Sequence, residues 1–117
     1  MVAKEDWRSC EIELFDKMNQ LTQLLVGRPL VIRLANDRAW NCLACFSKAN
    51  MEMTFNKASL GNECFEDGLS EKVLELYIQE MGHYYSGDHL SSEYHDGLCT
   101  LGAKIPKLAI NNQKLFS

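Results

Sequence analysis

The chain has 117 residues, 46% of them hydrophobic and 24% charged, with a formal net charge of −4. That is the size of one domain, 1–117, with a modest core. The acidic balance and the lack of a basic run argue against nucleic acid as the main partner. No apolar run approaches the ~18 residues of a membrane span, and Met1-Val2-Ala3-Lys4-Glu5-Asp6-Trp7 has no apolar run of a secretory leader. Five cysteines, an odd number, read as free thiols in a reducing cytoplasm.

In chain order, Trp7, Cys10, Leu14, Met18, Leu21 and Leu25 recur in steps of three and four, which predicts an amphipathic helix over 6–26. Gly27 stops it and Pro29 lies just beyond. Leu30-Val31-Ile32-Arg33-Leu34 reads as a strand, Asn36-Asp37 as a turn, and 39–46 as a second strand. Met51, Met53 and Phe55 alternate with Glu52, Thr54 and Asn56, predicting a third strand with one wet face. The sheet of 30–35, 39–46 and 51–56 is expected to be mostly antiparallel, because the connections are too short for parallel crossovers. Residues 57–69 read mostly as loop.

Ser70 is a suitable N-cap, with Glu71 in the first turn, for a helix running to about Tyr85 and ended by Gly87. On a helical wheel Val73, Leu74, Tyr77, Ile78, Met81, Tyr84 and Tyr85 share one arc. Gln79 and His83 fall opposite, about one turn apart, with Glu80 at the boundary. Those two side chains are expected to face an open groove. Ser91 or Ser92 starts a last helix with Tyr94, Leu98, Leu101, Ile105 and Leu108 as its stripe, kinked or shortened by Pro106. Helix, three short strands and two helices make an α+β layout.

The chemistry concentrates in Gln79-Glu80-Met81-Gly82-His83 and the residues after it. In H-E-x-x-H on a helix, two histidines one turn apart hold zinc and the glutamate is the general base. Glu80 and His83 are in register with that motif, and Gln79 stands where the first histidine belongs. The step from His83 to His89 matches the distance to a third ligand in the extended motif. His83, His89 and a carboxylate, Asp88 or Glu93, would make a mixed-ligand site. His95 is a further ligand or an outer hydrogen-bond donor. A glutamine amide oxygen is a much poorer zinc ligand than imidazole. Cys42-x-x-Cys45 lacks a second pair and reads as core thiols. Trp7 and Trp40 read as core anchors, and Met51 and Met53 as sheet packing.

Met53-Thr54-Phe55-Asn56, Leu60-Gly61, Ile78 to Tyr85, Asp88 to Asp96, and Leu101-Gly102-Ala103-Lys104 together resemble a zincin-like segment. It is similar to the C-terminal part of some bacterial proteins that carry a histidine-kinase/gyrase-type ATPase domain, where the motif reads with histidine at the place of Gln79. The present chain has neither the room nor a glycine-rich loop for that ATPase domain. The resemblance implies a minimal zincin-like fold, His83 as metal ligand, Glu80 as general base, and His89 or Asp88 as third ligand. Three readings stay open: histidines clustered by chance, a degenerate zincin-like module, and a working hydrolase. The expectation is the module, with zinc weak or absent and a protein or peptide partner. The alternative is an active metal-dependent peptidase using Glu80, His83 and His89.

Overall fold

The structure, a computed structural model, describes residues 1–86 and 91–116, all but the side chain of Phe116. It is an α+β fold of four α-helices and a three-stranded sheet among these residues: α1 (Ser9–Val26), β1 (Val31–Ala35), β2 (Ala44–Ser47), β3 (Glu52–Asn56), α2 (Lys57–Leu60), α3 (Glu71–Met81) and α4 (Ser92–Asn111). Helix α1 follows its apolar stripe. Leu14, Phe15, Met18, Leu21 and Leu25 are buried, and the left-handed Gly27 (φ 73°) donates its N–H to the Gln23 carbonyl at the end of the helix. At its start Glu11 reaches back to the backbone N–H of Arg8 (2.7 Å).

Glu11 is also fully buried, and its carboxylate meets Lys57 Nζ at 2.9 Å and Arg8 Nε at 3.3 Å. Burial alone would push this carboxyl up. The hydrogen bond from Lys57, the Arg8 backbone bond and the two positive charges outweigh it, holding Glu11 below the usual carboxylate range. This network joins the start of α1 to the start of α2.

The sheet order is β1-β3-β2. β2 and β3 form the expected antiparallel pair, with Cys45 opposite Thr54. β1 and β3 are parallel, with Leu34 opposite Phe55, so the sheet is mixed. No direct crossover was needed. β3 returns into the slot between β1 and β2, and β2 itself lies within the connection. Residues 36–43 arch over the C-terminal end of β3 to reach the far edge.

Asn56, buried at that end, holds the arch. Its Nδ2 donates to the carbonyls of Asp37 (2.9 Å), Trp40 (3.0 Å) and Cys42 (3.3 Å). Its Oδ1 accepts from the N–H groups of Asp37 and Ala58, the latter capping α2. Two expectations are corrected here. The second strand begins at Ala44 instead of residue 39, because 39–43 spends its backbone groups on Asn56. The face of β3 that alternation assigns to water holds a buried Asn56, and Thr54 is buried too.

Ile32, Leu34, Met53 and Phe55 face the helices. Phe15, Phe55 and Phe65 form a ring cluster with centroids 5.5–5.9 Å apart, each such pair contributing about 0.5–1.5 kcal/mol beyond its buried area. Met51 and Met53 are buried in sheet packing, as read from the sequence. Trp7 is half-buried with its ring edge-on to Phe15 at 5.2 Å, and Trp40 is half-buried in the arch. The cysteines are not core thiols. Cys42, Cys45 and Cys99 are exposed, Cys10 and Cys64 are half-buried, and all five are unpaired. Residues 57–69, read as loop, hold α2 and a 3₁₀ turn over Asn62–Phe65.

Helix α1 lies against β1, α3 against β2, and α4 packs on both helices. Ser91 caps α4, its Oγ accepting from Tyr94 N–H at 3.1 Å. The helix runs through Pro106 to Asn111 instead of stopping there. Proline removes the bond to the carbonyl four residues back, and that residue, Gly102, is exposed, so water can satisfy it. No helix among the described residues is long and apolar enough to cross a membrane.

Candidate functional site

The motif residues sit at the C-terminal end of α3. Ser70 caps the helix, accepting from Val73 N–H at 3.3 Å. Val73, Leu76, Tyr77 and Met81 are its buried face, with the Tyr77 hydroxyl 2.7 Å from Thr22 Oγ1 on α1. The buried arc is therefore rotated toward Leu76 relative to the wheel drawn from sequence. Leu74 and Ile78 are only partly buried and border a groove.

The α-helix ends at Met81 and tightens into a 3₁₀ turn over Gly82–Tyr84, where Tyr85 N–H donates to the Gly82 carbonyl three residues back (3.1 Å). Two side chains four apart on an α-helix differ by about 40° in direction, but two 3₁₀ steps widen that to about 80°. Gln79 and His83 accordingly have different surroundings. Gln79 is exposed. His83 is half-buried, its ring 5.3 Å from that of Tyr94.

Two glycines bring the turn against α4. A Cβ on Gly82 would lie 2.5 Å from the Tyr94 ring, and one on Gly97 would lie 2.6 Å from the Tyr85 ring. Neither glycine has a positive φ. Both are there for close approach. Tyr94 also donates its hydroxyl to the Gln79 carbonyl at 2.8 Å, tying α4 to the last turn of α3.

Glu80 is half-buried. Burial pushes its carboxyl up to about 7, and its charge adds to the upward displacement that burial imposes on Tyr94 and Cys45. A folded chain that keeps this proton longer than the unfolded chain, where release falls near 4.5, loses stability as pH rises from about 4.5 to 7. With its partial solvent contact discounted, the cost above pH 7 is on the order of 1 kcal/mol. Glu80→Gln should therefore stabilise the fold at pH 8 relative to wild type and change little at pH 4. Urea midpoints at the two pH values check this, and an equal difference at both would contradict it.

Glu93 and His95 are exposed at the start of α4, with the His95 ring 6.3 Å from that of Tyr94. The candidate third ligands Asp88 and His89, and the helix stop at Gly87, lie outside the described residues. Among the described residues, no three His, Cys, Asp or Glu side chains converge as a metal-ligand set. The donors in view on the motif are one half-buried imidazole and one exposed amide on a different bearing.

The arrangement does offer two shallow grooves on either side of the exposed ridge of α3. One, of about 570 Å³, is lined by Glu71, Leu74, Glu75, Ile78 and Gln79 and by Leu98 of α4. The other, of about 300 Å³, includes Leu43, Leu60, Lys72 and Leu76, and shares Glu75 and Gln79. The sequence reading did not single out Glu75, and it assigned Leu74, Ile78 and Leu98 to the apolar stripes of their helices. The signal was present: Leu74/Ile78 and Glu71/Glu75 are two i,i+4 pairs, an apolar and an acidic row side by side.

The chain matches no protein-family model, no curated protein and no solved structure.

Proposed function

We propose that this domain is a non-catalytic interaction module with a degenerate zincin-like motif, binding a protein or peptide partner beside the motif helix. One observation carries the reading: Gln79, at the position of the missing histidine, is exposed between two grooves, while His83 turns away to pack on Tyr94. Exposure of the residue that differs from the motif supports a role in contact over one in coordination. A cytoplasmic setting belongs to the same reading, since five unpaired thiols suit a reducing compartment.

Calorimetric titration tests it. Zinc should bind the chain as written more weakly than micromolar, that is, less favourably than about −8 kcal/mol. Gln79→His should gain affinity, because imidazole replaces an amide oxygen. Micromolar or tighter zinc binding by the unaltered chain would overturn the proposal.

The second reading, a metal-dependent peptidase, draws on the half-buried Glu80 carboxyl, placed where the motif carries its general base. Hydrolysis of casein is expected to be undetectable. Metal-dependent cleavage that disappears in Glu80→Gln would establish this second reading instead.

A further inference from the structure

We propose that the groove between α3 and α4 receives an amphipathic helix of a partner protein, one whose apolar stripe is flanked by lysine or arginine. The inference rests on the interaction-module reading and names the partner's chemistry. The groove's apolar surface comes from Leu74 and Ile78, one turn apart on α3, and Leu98 on α4. Beside them run Glu71 and Glu75, also one turn apart and exposed, and neither forms an ion pair among the described residues. Gln79 closes the row.

From Glu71 to Gln79 the groove follows about 12 Å of helix axis, the length of about two turns of a docked helix. Both walls are helical and, among the described residues, no strand edge borders it, so the mode that fits is a helix laid in a groove. Apolar anchors at three- and four-residue spacing would meet Leu74 and Ile78. The flanking charges would meet the glutamates, as they do between paired helices.

Charge decides the occupant. A second copy docking by the same face with the two α3 helices antiparallel and their acidic rows in register would set Glu71 of each copy against Glu75 of the other, a repulsive match. A basic helix reverses the sign at each contact and is also steered toward the acidic rim.

The test is an NMR titration of the full chain with a helical peptide of leucine and lysine, about eighteen residues long so that it holds helix, beside a twin with glutamate for lysine. The lysine peptide should shift the amides of residues 71–79 and of Leu98, and the glutamate twin should not. Glu71→Lys combined with Glu75→Lys should weaken the lysine peptide roughly tenfold or more. Both positions are exposed, but Glu71 stands in the first turn of α3, where a positive charge opposes the helix dipole, so the melting temperature should fall by a few degrees and affinity is compared well below it. Ile78→Asp should remove binding.

Equal binding of the twin, shifts confined to another face, no binding of either peptide, or self-association that occupies the groove would each overturn the inference. Zinc binding and casein cleavage measured on the same sample keep the two levels apart. If both are absent and no peptide binds, only the basic-helix inference falls. Zinc-dependent cleavage would bring down the module reading beneath it.

Discussion

Glu11→Ala is expected to destabilise the domain by about 3–5 kcal/mol, the cost of breaking a buried ion pair from one side. Lys57 would be left 14% exposed with its carboxylate partner gone, and the Arg8 backbone N–H would lose its acceptor. A domain of this size has only about 5–15 kcal/mol in total, so the variant should be partly unfolded at 37 °C. Glu11→Gln retains an acceptor for Arg8 and loses the charge, and should fall in between. Because the folded-state carboxyl is held below its ordinary value, near 4.5, this contribution is complete above that value. It is lost as pH falls through the lower folded value. Urea unfolding at pH 7 and pH 3 checks both points. A loss under about 1 kcal/mol at pH 7 would mean that Lys57 and Arg8 find other partners.

Asn56→Ala should cost about 2–4 kcal/mol, since it strips partners from several backbone groups at once. The carbonyls of Asp37, Trp40 and Cys42 and the N–H groups of Asp37 and Ala58 all meet this one amide. The damage should appear first in the arch of residues 36–43. Arg38 is exposed within it, so trypsin should cut there faster than in wild type before global unfolding. Asn56→Asp keeps the two acceptor contacts, loses every donor and sets a charge against three carbonyls, so it should not rescue. Unchanged trypsin cleavage at Arg38 in Asn56→Ala would show that the arch holds without its hub.

These two residues also mark where the sequence was readable. Period and caps placed α1, the strand at 31–35, Ser70 and Ser91, because each depends on local spacing or one side chain bonding its own backbone. Met53 and Phe55 declared the inner face of β3 by alternation alone. The parallel β1–β3 pairing did not show, because strand order depends on which slot β3 takes, and no local period encodes that. Asn56 looked like the polar half of an alternation. Its role is set by backbone groups 14 to 19 positions earlier in the chain. At the candidate site, the wheel placed Gln79 correctly on an open surface. It assumed one helix through residue 85, and so missed the turn at Gly82 that moves His83 aside.

The close packing at that turn can be written as a line of sequence. Gly82-x-x-Tyr85 and Tyr94-x-x-Gly97 are mirror images of each other. Each glycine makes the recess that the other segment's tyrosine fills. The word is therefore reciprocal, and one letter cannot change alone: a larger residue at Gly82 needs a smaller one at Tyr94, and likewise for Gly97 and Tyr85. G-x-x-Y, eight residues, then Y-x-x-G gives a signature for relatives that does not pass through the metal motif. It would recognise chains with histidine, glutamine or anything else at the position of Gln79.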